Sequence, residues 1–295
     1  MKMRFGARAR RFRKLITKSH GLVLRPCAFD PMTAILIEKA GFRVCGTSGY
    51  AISAAYIGEP DMGLLGFEGM LDQVRRIANA TILPVDVDAD TGYGNVVNVT
   101  WTTEQFIRVD AAGIRVEDQV WPKRCGHMTG CKMISQDEMV EKIRAAKKVC
   151  VELSSELVIG ARTDARSVEG FEATVGRVTA YAEAGADYVY VECPKTLDEV
   201  GQLIEAIPDT ALAFNMIPGG KTPIFSLQTL EEMGVKYISI PMVAIYPAVR
   251  AIQDALATLK QGDLKTLGDL GCNWQEFNDL IGKARWDAVE TGVVT

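Results

Sequence analysis

Histidine is scarce in this chain: His20 and His127 are the only two in 295 residues. Seven cysteines (Cys27, Cys45, Cys125, Cys131, Cys150, Cys193 and Cys272) are scattered along it without a single Cys-x-x-Cys pair. That odd set argues against a disulfide framework and fits free thiols in a reducing, cytoplasmic compartment. No apolar run approaches the roughly 20 residues needed to span a bilayer. The net charge is only −4, so there is no electrostatic case for nucleic acid or an anionic membrane as partner. No Gly-x-Gly-x-x-Gly follows the first β-rich run, so an open dinucleotide-binding sheet lacks its fingerprint.

What is present is an ordinary globular composition, 48% hydrophobic and 24% charged. A core of this size needs no metal or disulfide staple, and one α/β barrel can use the whole length. The first twenty residues, "MKMRFGARARRFRKLITKSH", hold eight Lys or Arg and no acid. Two readings stand: a mitochondrial transit peptide, or a solvated basic helix with Phe12, Leu15 and Ile16 packed inward. The helix is favoured, because "RFRKLI" leads straight into the first strand.

Runs rich in Val and Ile alternate with amphipathic stretches such as "SQDEMVEKIRAAKKVCVEL". The strand candidates are Leu22–Phe29, Phe42–Thr47, Ile82–Asp90, Gly113–Asp118, Leu157–Thr163, Tyr188–Cys193, Ala211–Met216 and Tyr237–Pro241. "KAGFRV", "AAGIRV", "EAGADYV" and "EMGVKYI" each place Gly between a helix and a strand, as a C-cap that admits a left-handed turn. Eight strands alternating with helices predict a (β/α)8 TIM barrel, a single domain over residues 1–295. Residues 1–20 are its N-terminal basic helix and 261–295 a C-terminal helical extension. The extension reads as two short helices broken near Gly271. Its apolar face of Trp274, Phe277, Leu280 and Ile281 calls for a partner, which a neighbouring subunit would supply.

Barrel strands are apolar inside and carry catalytic groups at their C-terminal ends. Polar residues collect there: Ser48-Gly49 after strand two, Asp88 and Asp90 after three, Glu117-Asp118 after four. Strand five ends in Arg162 and Asp164, six in Glu192, seven in Asn215, and eight in the apolar Pro241. Alternation in "VDVDAD" puts Asp86, Asp88 and Asp90 on one side. Crowded carboxylates repel, and a hard cation with room for waters and substrate oxygens, Mg²⁺, relieves the repulsion. The bland alternative is a solvated edge strand.

"KRCGHMTGCK" (123–132) has three readings. As a zinc knuckle, Cys125, His127 and Cys131 leave a structural site one ligand short. As a nucleic-acid patch it lacks interleaved aromatics. A mobile lid fits best, with Pro122, Gly126 and Gly130 loosening it and the helix starting near Ser135 anchoring its far end. Lys123 and Arg124 would then lower the pKa of the Cys125 thiol. A Schiff-base aldolase would need a lysine deep on a strand, whereas Lys123 and Lys221 fall in loops.

"DADTGYGN", "RVEDQVWPKRCGHMTGCKMIS", "ARTDARSVEG" and "EAGADYVYVE" together resemble the isocitrate lyase/phosphoenolpyruvate mutase superfamily over roughly Phe12 to Lys260. Within it, Lys-Arg-Cys-Gly-His is the signature of the carbon–carbon lyases. The resemblance implies a Mg²⁺-dependent enzyme, with Mn²⁺ as substitute, that cleaves a 2-hydroxy di- or tricarboxylate to an α-keto acid and a carboxylate. It implies that Ser48, Gly49 and Tyr50 bind the substrate carboxylate, joined by Gly126, His127, Asn215 and Pro241. Asp90 would meet the metal most directly, with Asp88, Asp61 and Glu117 holding it or its waters. Arg162 would clamp oxyanion charge, Glu192 would contact the substrate, and Cys125, with Lys123 beside it, would protonate the departing carbanion. The family also implies C-terminal helices exchanged between subunits of a homotetramer.

Several residues depart from the pattern. Asp86 stands where family strands are usually apolar. Met128 replaces an Arg common in methylisocitrate lyases, and "NMIPGGKTP" replaces hydroxyl-bearing residues that help hold tricarboxylates. Fewer anion anchors favour a dicarboxylate such as 2,3-dimethylmalate, with 2-methylisocitrate as the alternative. Pro241, where oxaloacetate hydrolases tend to present a hydroxyl, argues against hydrolysis. A lapsed barrel serving as a binding protein is the rival from another class, and the intact Asp/Glu/Arg/Cys set argues against it.

Overall fold

A computed structural model describes residues 6–17 and 21–292. Eight parallel strands close in sequence order: β1 (Val23–Ala28), β2 (Cys45–Thr47), β3 (Val85–Asp88), β4 (Gly113–Glu117), β5 (Val158–Thr163), β6 (Tyr188–Val191), β7 (Ala211–Asn215) and β8 (Tyr237–Ile240). β1 pairs with β8 at Val23–Tyr237 through Pro26–Ile240, which shuts the barrel. The expected (β/α)8 fold is what forms, with strands a few residues shorter than their apolar runs. Every strand is buried nearly throughout, as a sheet covered by helices requires. Among the described residues no helix is long and apolar enough to cross a membrane.

One apolar layer lies between the sheet and the outer helices, and includes Val74, Val87, Ile114, Val178 and Phe214. A second fills the base of the barrel around Phe12, Tyr188 and Tyr237. Phe12 belongs to the N-terminal helix Ala7–Thr17 and is fully buried. Its ring meets Tyr188 at 6.3 Å and Tyr237 at 5.5 Å. Phe12 and Ile16 therefore pack inward as expected, and Leu15 is partly buried beside them. The helix is less solvated than its charge implied. Arg8 is buried, donating to Ala78 O at 2.7 Å, and Arg13 pairs with Asp187. Residues 1–5 and 18–20 of the expected N-terminal segment lie outside the described residues.

Asp86 now has a role. It points into the barrel below the site, fully buried, with Arg25 Nε 2.8 Å from its Oδ2. That approach lies outside hydrogen-bonding angles, so we place the pair's strength in charge and in the other donors. Tyr237 OH donates to Asp86 Oδ2 at 2.8 Å and Tyr188 OH to Oδ1 at 3.1 Å. Arg25 spends its other nitrogens on Ser239 Oγ at 3.0 Å and Asp86 O at 2.7 Å. Glycine makes the space: a Cβ at Gly46 would collide with the Arg25 guanidinium, and one at Gly160 with the Tyr188 ring. Removing one partner leaves a buried charge alone. Asp86→Ala is therefore expected to cost about 3–5 kcal/mol of stability, read from denaturant unfolding at fixed protein concentration.

Three of the four expected glycine caps hold: Gly41, Gly185 and Gly234 have φ of 82°, 96° and 94°. The fourth does not. Gly113 opens β4, where a Cβ would press on Phe12 and Asp86, and Asp110 takes the left-handed turn instead at φ 57°. The C-terminal extension also differs, with three helices rather than two: Leu264–Asp269, Trp274–Leu280 and Lys283–Glu290. The extra break falls at Gly282, whose left-handed φ of 78° ends the middle helix. None of the three has a buried residue, and Trp274 is 82% exposed.

Candidate active site

The C-terminal rim of the barrel surrounds a cavity of about 240 Å³. Its wall includes Ser48, Tyr50, Asp61, Asp88, Lys123, Cys125, His127, Arg162, Glu192, Asn215 and Pro241. Eleven sequence-predicted residues thus meet in one place. Gly49, Asp90, Glu117 and Gly126 are not on the wall and stand just behind it. Helix Gly49–Ile57 starts at the rim, N-capped by Ser48, whose Oγ accepts from Ala51 N at 3.3 Å. Gly49 N donates to Asp88 Oδ2 at 3.5 Å, and the positive end of the helix suits a substrate carboxylate beside it.

Charge on the rim is tightly paired. Lys123 is buried, 2.7 Å from Asp61 Oδ2 and 2.8 Å from Asp90 Oδ1. Burial disfavours its charge, but Asp90 and Asp61 outweigh this and hold its pKa well above the ordinary lysine value. Arg162 forks Asp164 with Nε at 3.0 Å and Nη2 at 2.9 Å, and reaches Glu192 Oε2 at 3.1 Å. Its Nη1 lies 3.4 Å from Glu117 Oε2. Burial would raise the Glu192 carboxyl, yet the Arg162 guanidinium and His127 hold it down at about 2. Asn215 Nδ2 also donates to Glu192 Oε1, at 3.0 Å.

The carboxylate cluster fits a divalent cation. Burial, with Asp61 and Asp88 nearby, pushes the Asp90 carboxyl up to about 6 despite Lys123. Burial likewise raises Glu117 well above the usual carboxylate range. Asp88 goes the other way, because Arg115, Lys123 and Arg162 outweigh burial. Lys123 sits close to Asp90 Oδ1 but outside hydrogen-bonding angles, so Asp90 Oδ1 and Glu117 Oε1 are buried acceptors without donors. Such acceptors call for a cation or water. The four acids do not close into a tight ring: the one trio of ligand-type side chains mutually within 4.8 Å among the described residues is His127, Glu192 and Cys193. Open spacing with oxygen donors suits Mg²⁺, which keeps waters and substrate oxygens. The trio is spent differently, since Glu192 already serves Arg162 and Asn215.

The 123–132 segment lies over the cavity. Cys125 N donates to Asp61 O at 3.2 Å, and Gln119 clasps Arg124 through both its backbone groups at 2.9 and 3.0 Å. Gly126 packs flat on the rim, where a Cβ would collide with Asp164, Arg162 and Glu192. The expectation for the thiol is corrected. Burial pushes Cys125 up to about 11, Lys123 is spent on Asp61 and Asp90, and Arg124 is exposed. A protonated thiol is what a proton donor needs, so this suits the expected role better. His127 turns toward Glu192, with Nε2 2.9 Å from Oε1, rather than toward Cys131 as a zinc knuckle would require.

Comparison with known proteins settles the lineage. Residues 12–260 match the family model described as phosphoenolpyruvate phosphomutase. The chain belongs to that family. It is 40% identical to the 2,3-dimethylmalate lyase of Eubacterium barkeri, over 97% of this chain and 98% of that one. It is 38% identical to the 2-methylisocitrate lyase of Aeropyrum pernix, over 92% and 86% respectively. A crystal structure of a 2,3-dimethylmalate lyase superposes with a TM-score of 0.91 at 32% identity, covering 96% of this chain and 94% of that one.

Within this family member, sequence reasoning missed several wall residues: Thr47, Arg115, Tyr190, Ser239 and Tyr246. Arg115 Nη2 lies 3.2 Å from Asp88 Oδ2, and its guanidinium lies over the Tyr190 ring at 4.3 Å. Its signal was available, since Arg115 and Glu117 are two apart on one strand and share the inner face.

Proposed function

We propose that the protein is a Mg²⁺-dependent carbon–carbon lyase, served also by Mn²⁺, that cleaves a 2-hydroxy dicarboxylate of the 2,3-dimethylmalate type. One observation carries the reading: Asp61 and Asp88 of the carboxylate cluster, the Arg162 guanidinium and the protonated Cys125 thiol border a single small cavity, with Asp90 and Glu117 just behind its wall. Asp90, with Asp88, Asp61 and Glu117, would hold the divalent cation, which would supply Lewis-acid stabilisation of substrate oxygens. Ser48, Gly49 and Tyr50 bind the carboxylate beside C2 at the helix N-terminus. The C2 hydroxyl passes its proton to the ionised Glu192 carboxylate on the cavity wall and becomes a keto group as the C2–C3 bond breaks. The electron pair is left on C3 next to its carboxylate, where Arg162 stabilises the developing oxyanion. Cys125 then gives its proton to C3. The products are an α-keto acid such as pyruvate and a carboxylate.

A second reading, 2-methylisocitrate cleavage, is favoured by one observation. Arg115, 3.2 Å from Asp88 Oδ2, adds a second guanidinium to the cavity wall, a cation absent from the earlier count. Assay of α-keto acid release from a panel of 2-hydroxy di- and tricarboxylates with Mg²⁺ separates the two. Release from none of them would defeat both. Oxaloacetate hydrolysis is disfavoured by Pro241 on the wall, which offers no hydroxyl to orient water.

Seven free cysteines support a reducing, cytoplasmic setting. We also infer a homotetramer in which C-terminal helices are exchanged. Trp274, Phe277, Ile281 and Trp286 are 82%, 41%, 46% and 61% exposed in one chain, a larger apolar face than a monomer ordinarily leaves to water. Sedimentation at micromolar concentration is expected to show no monomer. A well-folded monomer would remove helix exchange.

A further inference from the structure

We infer that Lys221 is a positioning residue that latches the Cys125-Gly126-His127 segment over the cavity. It sits in the loop after β7, within the "NMIPGGKTP" stretch that the catalytic reading leaves without a role. Its Nζ donates to Gly126 O at 3.0 Å and to Met128 O at 3.1 Å. Its backbone N–H donates to His127 Nδ1 at 3.0 Å. Three bonds thus run from one residue to three consecutive positions of the covering segment, Gly126, His127 and Met128.

The neighbouring residue completes the cradle. A Cβ at Gly220 would stand 2.9 Å from His127 Cε1 and 3.1 Å from its Nδ1, so only glycine lets the imidazole seat this closely. With Nδ1 accepting from the Lys221 backbone, the ring's other nitrogen, Nε2, faces Glu192 Oε1 at 2.9 Å, outside hydrogen-bonding angles. Lys221 therefore acts on the site through the segment, with no contact to the reacting atoms. It restrains the height of Cys125 and holds the His127 ring facing Glu192. Of the other ties, Cys125 N to Asp61 O and the Gln119 clasp hold the segment's first half, and Val120 N donating to Lys132 O at 2.7 Å anchors its far end. Lys221 holds the stretch between them. This inference rests on reading the segment as the cover of the catalytic cavity.

The test reads lid opening without any substrate. Cys125 alkylation by iodoacetamide, followed by peptide mass mapping, reports how often the segment lifts. The exposed Cys272 and the buried Cys150 serve as internal controls. In Lys221→Met, which keeps the stem and removes the donors, alkylation of Cys125 is expected to rise about tenfold or more, the usual worth of hydrogen bonds from a charged group. Cys272 and Cys150 should not change. Lys221→Arg, which keeps charged donors, should stay nearer the unaltered protein. Gly220→Ala should open the segment by displacing His127 even with Lys221 intact. An unchanged Cys125 rate in Lys221→Met would overturn the latch. So would an equal rise at Cys150, because Lys221 would then support the fold rather than the lid. If Lys221→Met opens the segment and no protein cleaves any 2-hydroxy acid, the lyase reading falls while the latch stands.

Discussion

Cys125→Ser protein is expected to bind substrate and metal with near-normal affinity while turning over about 10²- to 10⁴-fold more slowly, the usual worth of a positioned general acid. Serine is nearly isosteric, and the ties of the segment run through the Cys125 backbone and its neighbours, so the cover should still seat. Its hydroxyl is far less acidic than a thiol, even one pushed up to about 11 by burial. The same shift fixes a pH dependence. The proton is present on the thiol throughout the neutral range, so ionisation of Cys125 should not set an alkaline fall in kcat below about pH 11. A merely structural thiol predicts a near-normal rate with a small stability change. Steady-state rates measured beside substrate binding separate the outcomes, and unchanged turnover would remove Cys125 from the chemistry.

Stripping divalent metal is expected to lower turnover by about 10³-fold or more, since a Lewis acid contributes several kcal/mol of charge stabilisation. Mg²⁺ or Mn²⁺ should restore it. Asp90→Ala should fall similarly and bind Mn²⁺ weakly in a direct titration followed by electron paramagnetic resonance. That readout requires no turnover. The reason lies in the buried acceptors: Asp90 Oδ1 and Glu117 Oε1 lack hydrogen-bond donors, and Lys123 neutralises only part of the cluster. Full activity in rigorously metal-free protein, or in Asp90→Ala, would defeat the proposal.

The rim was legible because barrel geometry sends the C-terminal ends of all strands to one face. Polar residues there, from Ser48 to Asn215, can be read strand by strand without knowing any contact. Asp86 was not legible, because its partners Arg25, Tyr188 and Tyr237 come from three other strands and only closure brings them together. The thiol pKa was misjudged for a related reason. Sequence shows that Lys123 is adjacent to Arg124 and near Cys125, but not that its ammonium turns away to Asp61 and Asp90. Lys221 reaches its partners across 93 to 95 residues of chain, loop to loop, where no periodicity carries a signal. The third C-terminal helix turned on one left-handed glycine, Gly282, inside an otherwise helical pattern.

Phe12, edge-on to Tyr188 and tilted against Tyr237, fills the barrel at its base, and the covering segment lies over the cavity at the opposite rim. Two fragments made in that space cannot leave by opposite doors. If, as proposed, the α-keto acid is held at the helix N-terminus by Ser48 and Gly49, it is expected to depart last, after the other fragment. Product inhibition then becomes asymmetric: the last fragment competes directly with substrate for the empty enzyme, while the first does not. The kinetic order of the reaction is in this sense written at the end of the barrel farthest from the chemistry.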